Sequence, residues 1–250
     1  MAKTGPDFYD DPKVFATYRR EGKPPRVDDP IKTLEKPVFD ELTGPLTDLR
    51  ILDLGCGSGY YGAEALNRGC QSYLGLEGSQ NMIEWARQTL ADTEGKVIHT
   101  RMETWNYPTQ QFDLVTSRLA LHYIEDIMSL FAHVYEALVP GGHFIFSAEH
   151  PVITSCDRSR PPGGIRQDWT VDDYFETGKR EVKWMGGQLL KFHRTLENYF
   201  TALTGAGFRV EALRESNPQW ALFTDEATYK RRKRIPLFLF IAARRPEEER

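Results

Sequence analysis

Apolar and polar residues change period several times along this chain, and each change marks an element. Val14 to Arg19 carries aromatics between charges and predicts a short helix with Pro-rich flanks. From Ile31 to Leu42, apolar residues at 31, 34, 38, 39 and 42 share one helical face, with Pro37 set to disturb it. Arg50-Ile-Leu-Asp-Leu is then a short apolar run ending in glycines, and Tyr60 to Arg68 returns to helical spacing. The alternation continues with strands at 72–77, 96–100, 112–117 and 143–148 and helices at 81–91 and 127–138. Pro140-Gly-Gly reads as a helix stop and turn before the last of these strands. Strands alternating with helices need crossovers and therefore imply a parallel sheet.

Regularity is lost from Pro151 to Phe192, a stretch too long for a simple connection and expected to be a lid. Trp169, Tyr174, Phe175 and Trp184 give it enough aromatic surface to pack. Helical spacing resumes from Thr195 to Ala206, and the runs at 208–213 and 236–243 predict a final antiparallel pair at the sheet edge. The expected organisation is one α/β domain in four parts: an N-terminal helical cap (1–45), a core (46–148), an inserted lid (151–192), and a C-terminal helix with antiparallel strands (195–250).

Composition narrows the picture. The 250 residues, 40% hydrophobic and 27% charged, suit a folded globular chain with a full core. A net charge of −4 gives no general attraction to nucleic acid or anionic lipid, and only Lys230 to Arg234 offers a local basic run. Such a run before an edge strand is more often a solubility device. No apolar run approaches the ~20 residues that span a bilayer, and the N-terminus lacks the order of a signal peptide, so the cytoplasm is the expected compartment. Cys56, Cys70 and Cys156 suggest neither a disulfide framework nor a metal site.

The most informative segment is Asp53-Leu-Gly-Cys-Gly-Ser-Gly59, where a strand turns into a helix. Glycines there let backbone approach a ligand closely and present helix N-terminal N–H groups. Glycines at 55, 57, 59 and 62 depart from the dinucleotide register GxGxxG, which disfavours a nicotinamide cofactor. Glu77 ends the next strand about twenty residues on, where an acid accepts both hydroxyls of a ribose.

The string ILDLGCGSG closely resembles the first motif of class I S-adenosylmethionine-dependent methyltransferases, and FDLVTSRLALHYI and LVPGGHFIFS extend the resemblance over about residues 46 to 148. It implies a Rossmann-like, doubly wound, mostly parallel sheet and S-adenosyl-L-methionine as cofactor. It further implies that Asp53, Gly55, Gly57 and Gly59 cradle the aminoacyl end and Glu77 with Gly78 the ribose. Met82, Met102 and Glu103 would lie at the adenine, with Ser117 and Tyr18 as further contacts. Arg101 departs from the acid the family often has there.

Methyl transfer from sulfonium needs alignment and, for some acceptors, removal of a proton; neither a metal nor a covalent residue is required. His150 and His122, just past the fifth and fourth strands, are the candidate bases, with Glu149 beside the first. Each has an alternative role, as a loop anchor or a packing residue. Trp169, Tyr174, Trp184 and His193 are candidate acceptor contacts, or else the lid's own core. Tyr9, Phe15 and Tyr18 are placed to fold over the cofactor, and Arg158, Arg160 and Arg166 to pair with an acidic substrate. The expected acceptor is a small molecule. RNA or protein methylation, or a silent methyltransferase fold acting as a binding subunit, are the alternatives. The first is disfavoured by charge and by Ser117-Arg-Leu-Ala where base-amine methyltransferases carry an NPPY-type tetrad, the second by intact glycines.

Overall fold

A computed structural model describes residues 2–20, 27–158 and 168–247. Its centre is a seven-stranded sheet with the order β3-β2-β1-β4-β5-β9-β8. Strands β1 (Arg50–Leu54), β2 (Ser72–Glu77), β3 (Lys96–His99), β4 (Phe112–Arg118) and β5 (Leu138–Glu149) are mutually parallel. β8 (Arg209–Glu215) and β9 (Phe238–Arg244) close one edge. β9 runs antiparallel to both β5 and β8, so the final strand lies inside the sheet and β8 takes the edge.

Helices cover both faces. On one, α6 (Ile127–Ala137) and α8 (Leu196–Gly205) bury Phe131, Val134, Tyr199 and Leu203 against Phe144, Phe146 and Ile241. On the other, α3 (Lys36–Thr43), α4 (Tyr60–Asn67) and α5 (Gln80–Thr89) pack Phe39, Tyr61 and Ala86 against Ile51, Tyr73 and Phe240. The strands facing both layers are apolar on both faces, as a covered parallel sheet demands. Removing that surface from water is the main term holding the sheet and helices together.

Three local features differ from the sequence reading. The helix expected over 31–42 is a π-turn, Ile31–Glu35, followed by α3; the break puts Pro37 in the first turn of α3, where its missing N–H has no helical partner to lose. β5 starts at Leu138 rather than His143. Leu138 pairs with Phe112 and His143 with Leu114, so Pro140-Gly-Gly forms an irregularity inside the strand, with Gly141 at φ +83°. Within 151–192, a short helix α7 (Pro151–Thr154) precedes an antiparallel hairpin, β6 (Gly178–Trp184) and β7 (Gly187–His193). α1 (Gly5–Tyr9) and α2 (Pro12–Arg19) dock on this hairpin. Phe8, Val14, Val182 and Leu189 form their shared core, and Lys3 adds a short parallel bridge to Leu189. The remaining helix, α9 (Glu226–Arg232), carries most of the basic run.

Candidate active site

β1 ends in the glycine turn at the carboxyl edge of the sheet, where ligands bind in open α/β folds. Gly55, Gly57 and Gly59 adopt φ of +73°, +57° and +77°, a region that side chains strain to enter. A Cβ on Gly55 would fall 2.6 Å from Ala120 Cβ and 3.1 Å from Met102 Cε, and one on Gly57 would face Met82 Cε at 3.4 Å. Met82 and Met102 therefore line the turn. α4 begins at Tyr60 with no side chain capping it, which leaves first-turn N–H groups for an anion.

Glu77 is the hinge of this arrangement. Its Oε2 accepts from Gly57 N at 2.9 Å and its Oε1 from Ser79 N at 2.8 Å. Burial pushes the carboxyl above its ordinary range, and the N–H groups of Ser79, Gly57 and Gly78 oppose that shift. A carboxylate offers about four lone-pair sites, so Glu77 keeps acceptor capacity for a ribose hydroxyl. The cradle thus fits S-adenosylmethionine: amides for its carboxylate, an acid for its ribose, thioethers for its adenine.

The other expected cofactor residues divide. Gly78 packs against the cap, since a Cβ there would meet Pro6 Cγ at 2.7 Å. Asp53 is buried with both oxygens occupied, by Tyr73 Oη at 2.7 Å and Thr116 Oγ1 at 2.9 Å. Ser117 is equally buried and donates to Leu54 O at 2.9 Å. Both join strands of the sheet. Glu103 is exposed. Tyr18 is partly exposed and touches Tyr9 and Trp85 edge-on, while Phe15 meets Trp85. Arg101 pairs with Asp7 at 2.9 Å and so ties α1 to the turn after β3.

The two histidines face different neighbours. His122, in the 3₁₀ turn Leu121–Tyr123, is buried and its Nδ1 accepts from Glu149 N at 3.5 Å; burial lowers its pKa to about 3. His150 caps α7 by accepting from Val152 N at 3.2 Å. Its Nε2 lies 2.8 Å from Glu215 Oε1 on the edge strand, yet off the line of a hydrogen bond. Burial lowers its pKa and Glu215 opposes this.

The aromatic residues do not gather in one wall. Trp184 stacks on Phe8 at 5.9 Å and meets Tyr9 edge-on at 6.3 Å, under the cap. Tyr174 and His193 hold each other: His193 Nε2 lies 2.9 Å from Tyr174 O and Nδ1 2.7 Å from Thr154 Oγ1. Trp169 lies under the Arg234 guanidinium. Arg158 pairs with Asp172, and Arg160 and Arg166 lie outside the described residues. In the basic run, Lys230 pairs with Glu226 and Arg234 with Asp168. An open hollow of about 710 Å³ beside Ser155, Arg158 and Arg180 lies away from the glycine turn.

Some contacts around the site have no sequence signal. Asp10 Oδ1 accepts from Ser79 Oγ at 2.6 Å and Asn81 N at 3.0 Å, clamping the cap onto the start of α5. Tyr9 and Tyr123 place their hydroxyls 3.3 Å apart. Lys191 donates to Glu149 Oε1 at 2.6 Å.

These features define a doubly wound α/β protein with a glycine-turn cradle and a buried acid at the carboxyl edge of its sheet. Residues 52–146 match the family model of a methyltransferase domain. A solved S-adenosylmethionine-dependent methyltransferase from Mesorhizobium loti is 37% identical with a TM-score of 0.77, covering 84% of this chain and 97% of that one. A Haemophilus influenzae protein is 31% identical over 86% of this chain and 88% of its own length. Malonyl-[acyl-carrier protein] O-methyltransferase 1 of Ilyobacter polytropus is 34% identical over 42% of this chain and 39% of its own length. The chain belongs to the S-adenosylmethionine-dependent methyltransferases. Among the described residues, no helix is long and apolar enough to cross a membrane.

Proposed function

We propose that this enzyme methylates a small-molecule acceptor held beneath the N-terminal cap and the β6–β7 hairpin. The observation that carries the reading is the roof itself. Phe8 stacks on Trp184 and Lys3 bridges to Leu189, which joins cap to hairpin, while Tyr9 meets Tyr123 after β4 and Lys191 pairs with Glu149 at the end of β5, which brings both over the carboxyl ends of those strands. A covered site admits a metabolite or a narrow arm more readily than a folded polymer. Two of the five charges of the basic run, Lys230 and Arg234, are paired with acids, which weakens it as a nucleic-acid surface.

In this reading, residues 46–148 bind the cofactor and 151–192 with α1 and α2 close the acceptor side. Gly55, Gly57 and Gly59 receive the aminoacyl end, Glu77 the ribose, and Met82 and Met102 the adenine. S-adenosylmethionine, when bound, supplies an electrophilic methyl group. The protein aligns the acceptor, excludes water and fixes charge around it. Asp53 and Ser117 act by holding β1 in register with its neighbours.

The test is incubation with methyl-labelled S-adenosylmethionine and a fractionated cell extract. Label in the low-mass fraction supports the reading. Label only in RNA or protein overturns it.

A further inference from the structure

Beneath the cap lies an ion pair that the cofactor site does not use. Lys191 is almost wholly buried, with its ammonium 2.6 Å from Glu149 Oε1 and set against the faces of Trp184 at 5.3 Å and Tyr123 at 6.0 Å. Among the described residues, that carboxylate is the one hydrogen-bond acceptor the ammonium reaches, although an ammonium has three N–H donors. Glu149 ends β5 and Tyr123 follows β4, so the pair stands at the sheet edge where acceptors bind. The Tyr123 hydroxyl lies 3.3 Å from that of Tyr9, on the cap that Asp10 clamps to Ser79 just after Glu77.

Several N–H and O–H donors converge here. Among the described residues the ammonium makes one hydrogen bond and otherwise meets aromatic faces, and of the two phenols 3.3 Å apart only one O–H can serve the other. His122 Nδ1 accepts from Glu149 N, which leaves the ring proton on Nε2. A buried set of donors around one cation recognises an anionic oxygen. We propose that Lys191 binds the carboxylate of the methyl acceptor, with Trp184 against its body, so that the enzyme makes a methyl ester.

The chemistry balances without a base. A carboxylate oxygen lone pair forms the new bond to the methyl carbon, the carbon–sulfur bond breaks, and its electrons stay on sulfur as a neutral thioether. No proton moves, which agrees with a His122 whose pKa burial has lowered. The inference rests on the small-molecule reading above and narrows it.

The test is calorimetry in the presence of S-adenosylhomocysteine, with acetate, malonate, benzoate and trans-cinnamate, each against its amide. At least one carboxylate should bind more than tenfold tighter than its amide. Lys191→Met should erase that preference, while Glu149→Gln, which frees the ammonium from its partner, should strengthen it; S-adenosylhomocysteine affinity stays unchanged in both. A purely structural ion pair predicts that the two variants act alike on carboxylate affinity. Should Lys191→Met fail to fold, Glu149→Gln alone decides by its sign. No preference for any carboxylate, or weaker carboxylate binding in Glu149→Gln, overturns the proposal. Loss of S-adenosylhomocysteine binding by the wild type would instead strike the cofactor site.

Discussion

Gly57 donates its backbone N–H to Glu77 Oε2 at 2.9 Å, so the acid that ends β2 also holds the glycine turn that follows β1. One side chain thereby ties the end of β2 to the glycine turn, and in the proposed site its remaining lone pairs face the ribose. The relationship explains why two segments twenty residues apart form one site.

A second buried contact ties the π-turn to the sheet. Glu35, fully buried, accepts from the Arg118 guanidinium and from Ser147 Oγ at 2.8 Å, and Arg118 lies over Phe39 and Tyr61. Glu35→Ala leaves a mostly buried guanidinium without its partner and should cost about 2–4 kcal/mol in urea unfolding. The double variant Glu35→Met, Arg118→Met should recover most of that loss.

His122 sets a pH dependence of stability. Its folded pKa of about 3 lies below the ordinary 6.5, so the unfolded chain binds the extra proton as pH falls. The stabilisation is full above about pH 6.5 and declines by about 1.4 kcal/mol per pH unit below it. Between pH 7 and pH 5, His122→Asn should therefore lose about 2 kcal/mol less than the wild type, read from paired urea curves.

The histidines also differ in what they can do for turnover. His150 looks toward Glu215 on the edge strand and caps α7. A general base contributes about 10²–10⁴-fold to rate. His150→Ala and His122→Ala should each lower the maximal rate by less than about tenfold on a carboxylate acceptor, because no proton is removed. A loss of about a hundredfold in either would assign that histidine as base.

Trp184 joins the hairpin to the cap through its stack on Phe8. Such pairs contribute about 0.5–1.5 kcal/mol beyond burial. Trp184→Ala should raise the acceptor KM several-fold and leave S-adenosylhomocysteine affinity within a factor of about two, measured by steady-state kinetics and calorimetry.

Much of this was legible in the chain. The glycine turn and Glu77 sit at strand ends that the apolar runs mark, and backbone geometry at a strand-to-helix turn is a local matter. The acceptor side was not. Lys191 occupies an inward position of β7, but a lysine in KFHRT reads as a solvent-facing residue until Glu149, on another strand, is brought to it. The alternation of β6 and β7 is broken by such polar inward residues, so the hairpin reads as irregular. Asp10 has no signal before the cap docks, and Tyr9, an N-terminal aromatic placed to fold over the cofactor, gains its partner Tyr123 only then, since these partners come from α5 and from the turn after β4.

The claim on which the rest depends is that Glu77 and its glycine turn hold the cofactor. Calorimetric titration of S-adenosylhomocysteine into wild type and Glu77→Ala, with circular dichroism matched, tests it most directly. The wild type should bind, and the variant should lose about 1.5–3 kcal/mol, roughly ten- to a hundredfold or slightly more in Kd. A folded Glu77→Ala that binds as tightly as the wild type would contradict the account.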